Sequence, residues 1–180
     1  PEPEVSVEWM LEDVLLEGAL STMLLLPRPP QLELYYSSLM REIVTLAPQQ
    51  IAPSIGRTIR RFYVASADGV VRAEVLRRVA DWFSVHLSNF KFTWAWNEWA
   101  DDMTRAWAHP RPALARRIVE LEVRLAYYDR IKGTLPPDME AYILPPFEPS
   151  PNFVYNRPSH SYHGMAEQLF QSIKAKASVH

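Results

Sequence analysis

Apolar residues recur every three to four positions along most of this 180-residue chain, and prolines separate the runs in which they do so. This spacing gathers the apolar side chains of each run on one face of an amphipathic α-helix. Proline cannot donate a hydrogen bond within a helix and restricts the residue before it, so the proline groups mark helix ends. The short alternation from Phe92 to Trp96 is too brief and lacks the flanking signals of a strand. An all-α fold is therefore predicted.

Seven helical runs follow from this pattern, and short connections join most of them. They cover residues 5–26, 31–46, 49–65, 70–90, 96–103, 111–132 and 162–177. Helices with short connections pack as antiparallel neighbours, and stacked antiparallel pairs form an α-solenoid. Because no internal sequence repeat accompanies them, the α-solenoid is predicted from helix lengths and turns alone.

The distribution of proline predicts the domain organisation. Seven of the 16 prolines fall between residues 134 and 158, where the helical spacing is lost, and this composition is typical of a linker. We predict a helical repeat domain over residues 1–133, a Pro-rich linker over 134–158, and the first helix of a following helical domain over 159–180. Because the chain starts with Pro-Glu-Pro rather than Met, we expect it to be part of a longer protein.

Composition narrows the chemistry that the chain can support. There is no cysteine, which excludes disulfides and thiolate metal sites. The longest apolar stretch of the first run, residues 23–27, is far shorter than the ~20 residues of a membrane span, so we expect no membrane partner. The net charge is −2, but residues 1–56 carry eight acids and two bases, whereas residues 57–132 carry nine acids and fourteen bases.

Few residues could support catalysis. Asp101 and Asp102 are adjacent, so on a helix their side chains diverge by about 100° and cannot share one substrate. The five glycines form no phosphate-binding loop, and no Gly-x-Ser-x-Gly motif is present. We therefore expect neither an enzyme nor a cofactor.

Histidines are the remaining candidates for a chemical site. His160 and His163 are three residues apart, a spacing that can ligate zinc, but neither a third ligand nor a general-base Glu accompanies them. A hydrated helix start is the favoured interpretation there. His86 lies on the apolar side of the fourth run with Trp82 and Phe90, which favours a position in or beside the core. No metal site is predicted.

Arginine outnumbers lysine fifteen to four, and arginine suits protein interfaces, carboxylates and phosphates. If the third and fourth helices form an antiparallel pair, their polar sides combine into one basic surface. That surface would bind an acidic partner or RNA phosphates; alternatively, it is a solvated face that Glu74 and Asp81 partly neutralise. The predicted partner-binding residues are Arg57, Arg60, Arg61, Arg72, Arg77 and Arg78.

One quarter of the chain is unusually rich in aromatic residues. Such rings either pack between helix pairs, where each covers roughly 150–250 Å², or form stacking platforms for nucleic-acid bases. Base platforms interleave with basic residues, whereas only Lys91 lies within this group, so packing is favoured. The predicted structural aromatic cluster comprises Trp82, Phe83, Phe90, Phe92, Trp94, Trp96 and Trp99, together with the later Trp107.

The segment that contains this cluster resembles the large subunit of the nuclear cap-binding complex. From His86 the chain reads His-Leu-Ser-Asn-Phe, and from Phe92 it reads Phe-Thr-Trp-Ala-Trp, with an acid and Trp99 following, as in that family. Residues 125–131 are similar to the family's next helix. Ser-His-Ser-Tyr-His-Gly, which begins at Ser159, resembles the entry to its third helical domain. The resemblance covers most of the chain.

This resemblance implies both a fold and a function. The family's large subunit has three HEAT-like domains similar to the middle domain of initiation factor 4G, and this chain would hold the second domain, a linker and the first helix of the third. The small subunit, an RNA-recognition-motif protein, binds the mRNA 5′ cap. The large subunit would dock it and offer surfaces to RNA-processing, export and decay factors in the nucleus, with shuttling to the cytoplasm.

Two other functions fit a helical chain of this kind. One is a related helical domain that clamps an RNA helicase in translation or mRNA decay. The other is an RNA-binding module that acts through the predicted arginine surface. The spacing of Trp94, Trp96 and Trp99 favours the cap-binding-complex scaffold over the helicase clamp. A salt titration distinguishes the RNA-binding module, because phosphate binding weakens strongly between low and moderate salt.

Overall fold

A computed structural model describes residues 10–148 and 154–176 of the chain. The chain divides into two compact units, residues 1–148 and 149–180, and each is described by itself. The regular elements of the described residues are all helical, so the prediction of an all-α fold is confirmed. The beginning of the run predicted at residues 5–26 lies outside the described residues.

The described part of the first unit contains helices α1 to α7. Their bounds are Leu11–Met23 for α1, Glu33–Leu46 for α2, Pro48–Ala65 for α3, Ala73–Asn89 for α4, Pro110–Leu125 for α5, Tyr128–Lys132 for α6 and Pro137–Ile143 for α7. Two 3₁₀ helices accompany them, Ser66–Asp68 and Trp96–Thr104. The described part of the second unit consists of a 3₁₀ turn at Val154–Asn156 and α8 at His163–Lys174.

Prolines begin three of these helices as well as ending others. Pro48, Pro110 and Pro137 each occupy the first position of a helix. The N–H of the first helical residue has no acceptor within the helix, so proline loses no hydrogen bond there. The fixed φ of proline also suits a helix. At the start of α5, Nδ1 of His109 also accepts a hydrogen bond from the backbone N–H of Arg111 at 3.3 Å. The proline groups therefore set helix starts in this fold as well as helix ends.

The helices of the first unit pack as neighbouring pairs around one continuous core. Helix α4 packs most extensively against α5, while α1, α2 and α3 contact one another and α2 joins this group to α4. The core includes fully buried residues from four of these helices and from α7, namely Met40, Ile59, Trp82, Ile118 and Met139. Successive helices that stack in this way confirm the α-solenoid prediction.

The run predicted at residues 111–132 is two helices rather than one. Ala126 adopts φ −124° and ψ −116°, which lies outside the helical region, and α6 begins only at Tyr128. The backbone N–H of Ala126 still donates to the carbonyl oxygen of Glu122 at 2.9 Å. Because neither proline nor glycine occurs at the break, nothing local in the sequence marks it.

The segment predicted as a linker differs from that prediction at its beginning. Helix α7 lies within it, and the side chains of Met139 and Ile143 are buried in the core of the first unit. The hydroxyl of Tyr128 donates to the carbonyl oxygen of Pro145 at 3.0 Å. The first compact unit therefore extends to Glu148 instead of residue 133. That residues 159–180 open a following domain stays a prediction.

A left-handed turn follows α4. Lys91 and Phe92 have φ values of 62° and 59°, a conformation that costs an L-residue roughly 1–2 kcal/mol. The backbone N–H of Phe92 donates to the carbonyl oxygen of Leu87 at 2.8 Å, and its ring is buried with the Arg130 guanidinium 5.3 Å from the ring centre. The alternation from Phe92 to Trp96 is therefore a tight turn that leads into a 3₁₀ helix.

The second unit exposes an apolar face in its described residues. Met165, Leu169 and Ile173 of α8 are four residues apart in turn, and all three are exposed. They share one face because a helix turns once in 3.6 residues. Neither this helix nor any other in the described ranges has the length and apolar character required to cross a bilayer.

Candidate protein-interaction surfaces

The three predicted site arginines of α3 have different surroundings. Nη2 of Arg57 donates to Oδ1 of Asp13 at 2.8 Å and so connects α3 to α1. Nη2 of Arg60 donates to Oε1 of Glu98 at 2.7 Å, and this pairing lowers the pKa of the Glu98 carboxyl. Arg61 is exposed and lines a groove of about 420 Å³ between α1 and α3. Two of the three charges are thus paired within the fold.

The arginines of α4 are largely paired within their own helix. Arg77 donates to both oxygens of Glu74 at 2.9 Å and to Oδ2 of Asp81 at 2.5 Å. Nε of Arg78 also donates to Glu74 at 2.9 Å. Hydrogen bonds from Arg77 and then Arg78 lower the pKa of Glu74 to about 2. Arg72, at the start of the helix, is exposed. The two carboxylates offset the positive charge of this face.

Arg78 has a structural role that the sequence pattern did not indicate. Its two terminal nitrogens donate to the carbonyl oxygens of Leu25 and Pro27 at 2.9 and 2.6 Å. These bonds connect α4 to the loop between α1 and α2. The Arg78 side chain is only 17% exposed as a result.

The six arginines do not combine as the sequence analysis expected. The expectation required α3 and α4 to be an antiparallel pair, but α4 packs chiefly against α5, and α3 packs against α1 and α2. That premise is wrong, because helix pairing depends on contacts distant in sequence. A role of the six arginines in partner binding stays a prediction. Arg61 and Arg72 are exposed and form no ion pair with another described residue, so they test it without breaking one.

Most of the predicted aromatic cluster is buried in the core. Phe83 of α4 meets the Trp94 ring edge to face at 5.0 Å, and Trp94 and Trp96 both meet Trp99 at 5.4 Å between ring centres. Edge-to-face contacts of this kind are favourable arrangements of aromatic rings. Phe90 and Trp94 are partly buried, and the buried members are Trp82, Phe83, Phe92, Trp96 and Trp99. Buried rings are not available to stack with nucleic-acid bases.

His86 lies at the edge of this cluster. Its ring is 4.8 Å from that of Phe90 and 5.5 Å from that of Trp82. Burial among these rings lowers the pKa of His86 to about 4, so the imidazole is neutral at pH 7. A neutral histidine packed against aromatic rings is a structural residue.

The other polar candidates also have structural partners. Nδ1 of His160 accepts the backbone N–H of Tyr162 at 3.2 Å, and Nε2 of His163 is 3.5 Å from the carboxylate of Glu167. Among the residues that the structure describes, no three His, Asp or Glu side chains converge as metal ligands. Burial raises the pKa of Asp102, but Arg105 and Arg111 outweigh it and hold that pKa below its usual value.

Trp107 lies apart from the aromatic cluster, contrary to the sequence analysis. Its side chain is 76% exposed, and the Arg116 guanidinium lies 3.7 Å from its ring centre. The pair lines a groove of about 950 Å³ between α5 and α7 that Tyr128 and Tyr142 also line. Adjacency in sequence suggested that Trp107 joins the cluster, but the 3₁₀ helix ends at Thr104 and the chain then leaves the core.

Glu122 is a buried carboxylic acid that the sequence analysis did not single out. Its side chain has no solvent exposure, and neither carboxylate oxygen has a hydrogen-bond partner in the described part of the chain. Burial raises its pKa to about 8. The sequence spacing does indicate that Glu122 is buried. Glu122 falls four residues after Ile118 and eight after Leu114, and both of these are buried on the same face of α5.

Helix α1 has a second apolar face in addition to the one that joins the core. Leu16 and Leu20 are buried, whereas Leu11, Val14 and Leu15 are exposed. The exposed three and Gly18 follow an i, i+3, i+4, i+7 spacing and therefore share one side of the helix. A Cβ added to Gly18 would meet no atom within 4 Å. The outer α1 face is the name used below for Leu11, Val14, Leu15 and Gly18.

A stack of amphipathic helices with open grooves is the architecture of the helical-repeat class of domains. The family model described as MIF4G like matches residues 2–137, which is most of the chain, and the chain belongs to that family. It is similar to nuclear cap-binding protein subunit 1 of Schizosaccharomyces pombe, with 36% identity over 166 residues. This alignment covers 92% of the chain and 21% of the relative.

The chain is also similar to nuclear cap-binding protein subunit 1 of vertebrates. The chain is 33% identical to nuclear cap-binding protein subunit 1-B of Xenopus laevis and 30% identical to subunit 1 of Homo sapiens, each over 156 residues. Each alignment covers 85% of the chain and 19% of the relative. The resemblance inferred from the aromatic segment is confirmed. The chain spans about a fifth of the length of these relatives.

Proposed function

We propose that this chain is a non-enzymatic scaffold domain of a nuclear cap-binding complex. The observation that carries the proposal is the similarity to subunit 1 of that complex over 92% of the chain. The structure supports it, because a solenoid exposes long helix faces and grooves on which other proteins can dock. The relatives are named as cap-binding subunits and not as enzymes.

The proposed partner is the small RNA-recognition-motif subunit that binds the 5′ cap. In this arrangement the chain would contact capped RNA through that subunit and would offer other faces to RNA-processing, export and decay factors. The complex would act in the nucleus and shuttle to the cytoplasm. Two exposed features suit such docking: the α5–α7 groove with Trp107, and the arginines Arg61 and Arg72. Exposed tryptophan and arginine are frequent centres of protein interfaces.

Co-expression with the small subunit tests this function. We expect the two chains to elute together from a size-exclusion column and the pair to remain on a cap-analogue resin. The double variant Arg61→Glu with Arg72→Glu should reduce co-elution if the arginine surface is the docking site. Arg41→Glu is the matched control, because Arg41 is an exposed arginine of α2 outside the predicted set.

The outcomes separate the candidate functions. Elution of the two chains apart contradicts the proposed function. Retention of an RNA helicase instead of the small subunit indicates the helicase-clamp alternative. Direct binding of uncapped RNA that weakens strongly between low and moderate salt indicates an RNA-binding module, because phosphate contacts release counterions.

A further inference from the structure

A glycine stands at the C-terminal end of an exposed apolar surface in α1. Gly18 lies inside the helix and one turn after Val14 and Leu15, on the outer α1 face. Glycine lowers helix stability relative to alanine, and close packing against a neighbour is one reason for a glycine within a helix. The chain's own packing does not supply one, because a Cβ at this position would have open space around it.

The absence of a Cβ allows another backbone to approach the helix closely. Leu11 is 70% exposed, and Val14 and Leu15 are nearly half exposed, so the apolar ridge that leads up to Gly18 is available for contact. A small residue within an apolar ridge is the feature that lets two helices pack at short range. The geometry of the outer α1 face therefore suits a second helix.

The acidic residues beside this ridge favour a docking helix with basic residues in the matching positions. Helix α1 contains Glu12, Asp13 and Glu17 and no basic residue. Viewed down the helix axis at 3.6 residues per turn, Glu12 lies next to Leu15 on one border of the ridge. Glu17 lies next to Val14 on the opposite border. Asp13 is already paired with Arg57. Arg61 lines the groove on the Glu17 side, so the Glu12 border is the less compensated of the two.

We propose that the outer α1 face docks an amphipathic helix of a partner protein whose apolar ridge is bordered by lysine or arginine. Such a helix places its apolar side chains on Leu11, Val14 and Leu15, its backbone near Gly18, and its cations against Glu12 and Glu17. A second copy of this chain is disfavoured as the occupant, because two acidic borders would then face each other. This site adjoins the predicted arginine surface at Arg61, but the proposal does not depend on the proposed function.

Two synthetic helical peptides test the proposal with the 180-residue chain. Both are about 20 residues long, so that they form helices, and both carry the same leucine ridge. One has lysine borders and the other has glutamate borders, and binding is followed by fluorescence anisotropy. We expect the lysine peptide to bind at least about tenfold more tightly than the glutamate peptide, with a difference that shrinks as salt is added.

Variants of the chain assign the site. Leu15→Arg should weaken binding of the lysine peptide by at least about tenfold. Leu46→Arg, at an exposed leucine of α2, is the matched control and should leave binding unchanged. Gly18→Ala should weaken binding while raising the melting temperature, and damage to the fold would move both quantities in the same direction.

Several outcomes would overturn the proposal. Equal binding of the two peptides, or no binding of either, excludes a basic-bordered helix as the occupant. Equal losses for Leu15→Arg and Leu46→Arg place the binding elsewhere. A concentration-dependent dimer that Leu15→Arg abolishes makes a second copy the occupant instead.

Discussion

Tyr63 and Trp99 stack face to face, with ring centres 4.0 Å apart and ring planes within 3° of parallel. Tyr63 belongs to α3 and Trp99 to the 3₁₀ helix after α4, so this contact joins two parts of the solenoid that are distant in sequence. Burial, followed by the nearby carboxylate of Asp102, raises the pKa of the Tyr63 hydroxyl. The neutral phenol is therefore the form present in the core.

The core position of Trp99 predicts a large effect of its removal. Trp99 is 2% exposed and contacts the rings of Tyr63, Trp94 and Trp96. We expect Trp99→Ala to lower the free energy of unfolding by roughly 3–5 kcal/mol, since it leaves a cavity. Trp107→Ala is the matched control and should cost less than about 1 kcal/mol, because that ring is exposed. Urea denaturation measures both, and similar losses would contradict the buried cluster.

Glu122 predicts a specific dependence of stability on pH. Its pKa is about 8 in the folded chain, against the 4.5 of an ordinary glutamate carboxyl. Between these values the folded state keeps a proton that the unfolded state has released, so the contribution of Glu122 to stability is greatest below about pH 4.5 and is lost as pH rises toward 8. We expect Glu122→Gln to remove this loss, so the stability of the variant relative to the wild type should rise by roughly 3–5 kcal/mol between about pH 4.5 and pH 8.

Denaturation at about pH 5 and pH 8 provides the measurement for Glu122. The matched control is Glu120→Gln on the same helix, because Glu120 is 37% exposed and paired with Arg124 and Arg117. That variant should change stability little and should not alter its pH dependence. A constant difference between wild type and Glu122→Gln at both pH values would show that the carboxyl titrates normally.

Gly18 and Gly69 both have open surroundings, yet they should respond to alanine in opposite ways. Gly18→Ala should raise the free energy of unfolding by roughly 0.5–1 kcal/mol, because alanine favours the helix and meets no neighbour. Gly69 has a φ of 68° after the first 3₁₀ helix, so Gly69→Ala should lower stability by about 1 kcal/mol. Thermal melting distinguishes the two, and a loss of stability for Gly18→Ala would mean that the outer α1 face is already covered.

Arg78 should contribute more to stability than its neighbour Arg77. Arg78→Ala removes the bonds to the carbonyl oxygens of Leu25 and Pro27 and should cost about 1–2 kcal/mol. Arg77→Ala removes exposed pairs within α4 and should cost less than about 0.5 kcal/mol. Equal costs in urea denaturation would indicate that the loop between α1 and α2 does not depend on Arg78.

The positions of the helices could be predicted because the apolar period of a helix is a local feature of the sequence. The packing partners of the helices could not be predicted, because they depend on contacts between residues that are distant in sequence. Five of the seven predicted runs match helices of the structure to within a few residues, and the run at 111–132 divides into two. The run at 5–26 contains α1, but its beginning lies outside the described residues. The conformation of Ala126, where it divides, has no local signature. The pairing of α4 with α5 instead of α3 depends on contacts between distant residues.

The candidate site was predicted less well than the fold. A charged residue is read from sequence as exposed, so Arg78 appeared to be a surface residue although its side chain is mostly covered. Glu122 was overlooked for the same reason. Exposed apolar residues are equally hard to identify, because Val14 and Leu16 belong to the same amphipathic run and only packing decides which of them faces the core.

The position of α7 determines where a shortened version of this chain should end. A fragment that stops at Gly133, where the helical pattern of the sequence first fails, would lack Met139 and Ile143. The α5 surface that they cover would then face water, and the exposed patch would favour aggregation. An expression fragment that continues to Glu148 retains this cover, and the boundary is therefore a practical matter for recombinant production.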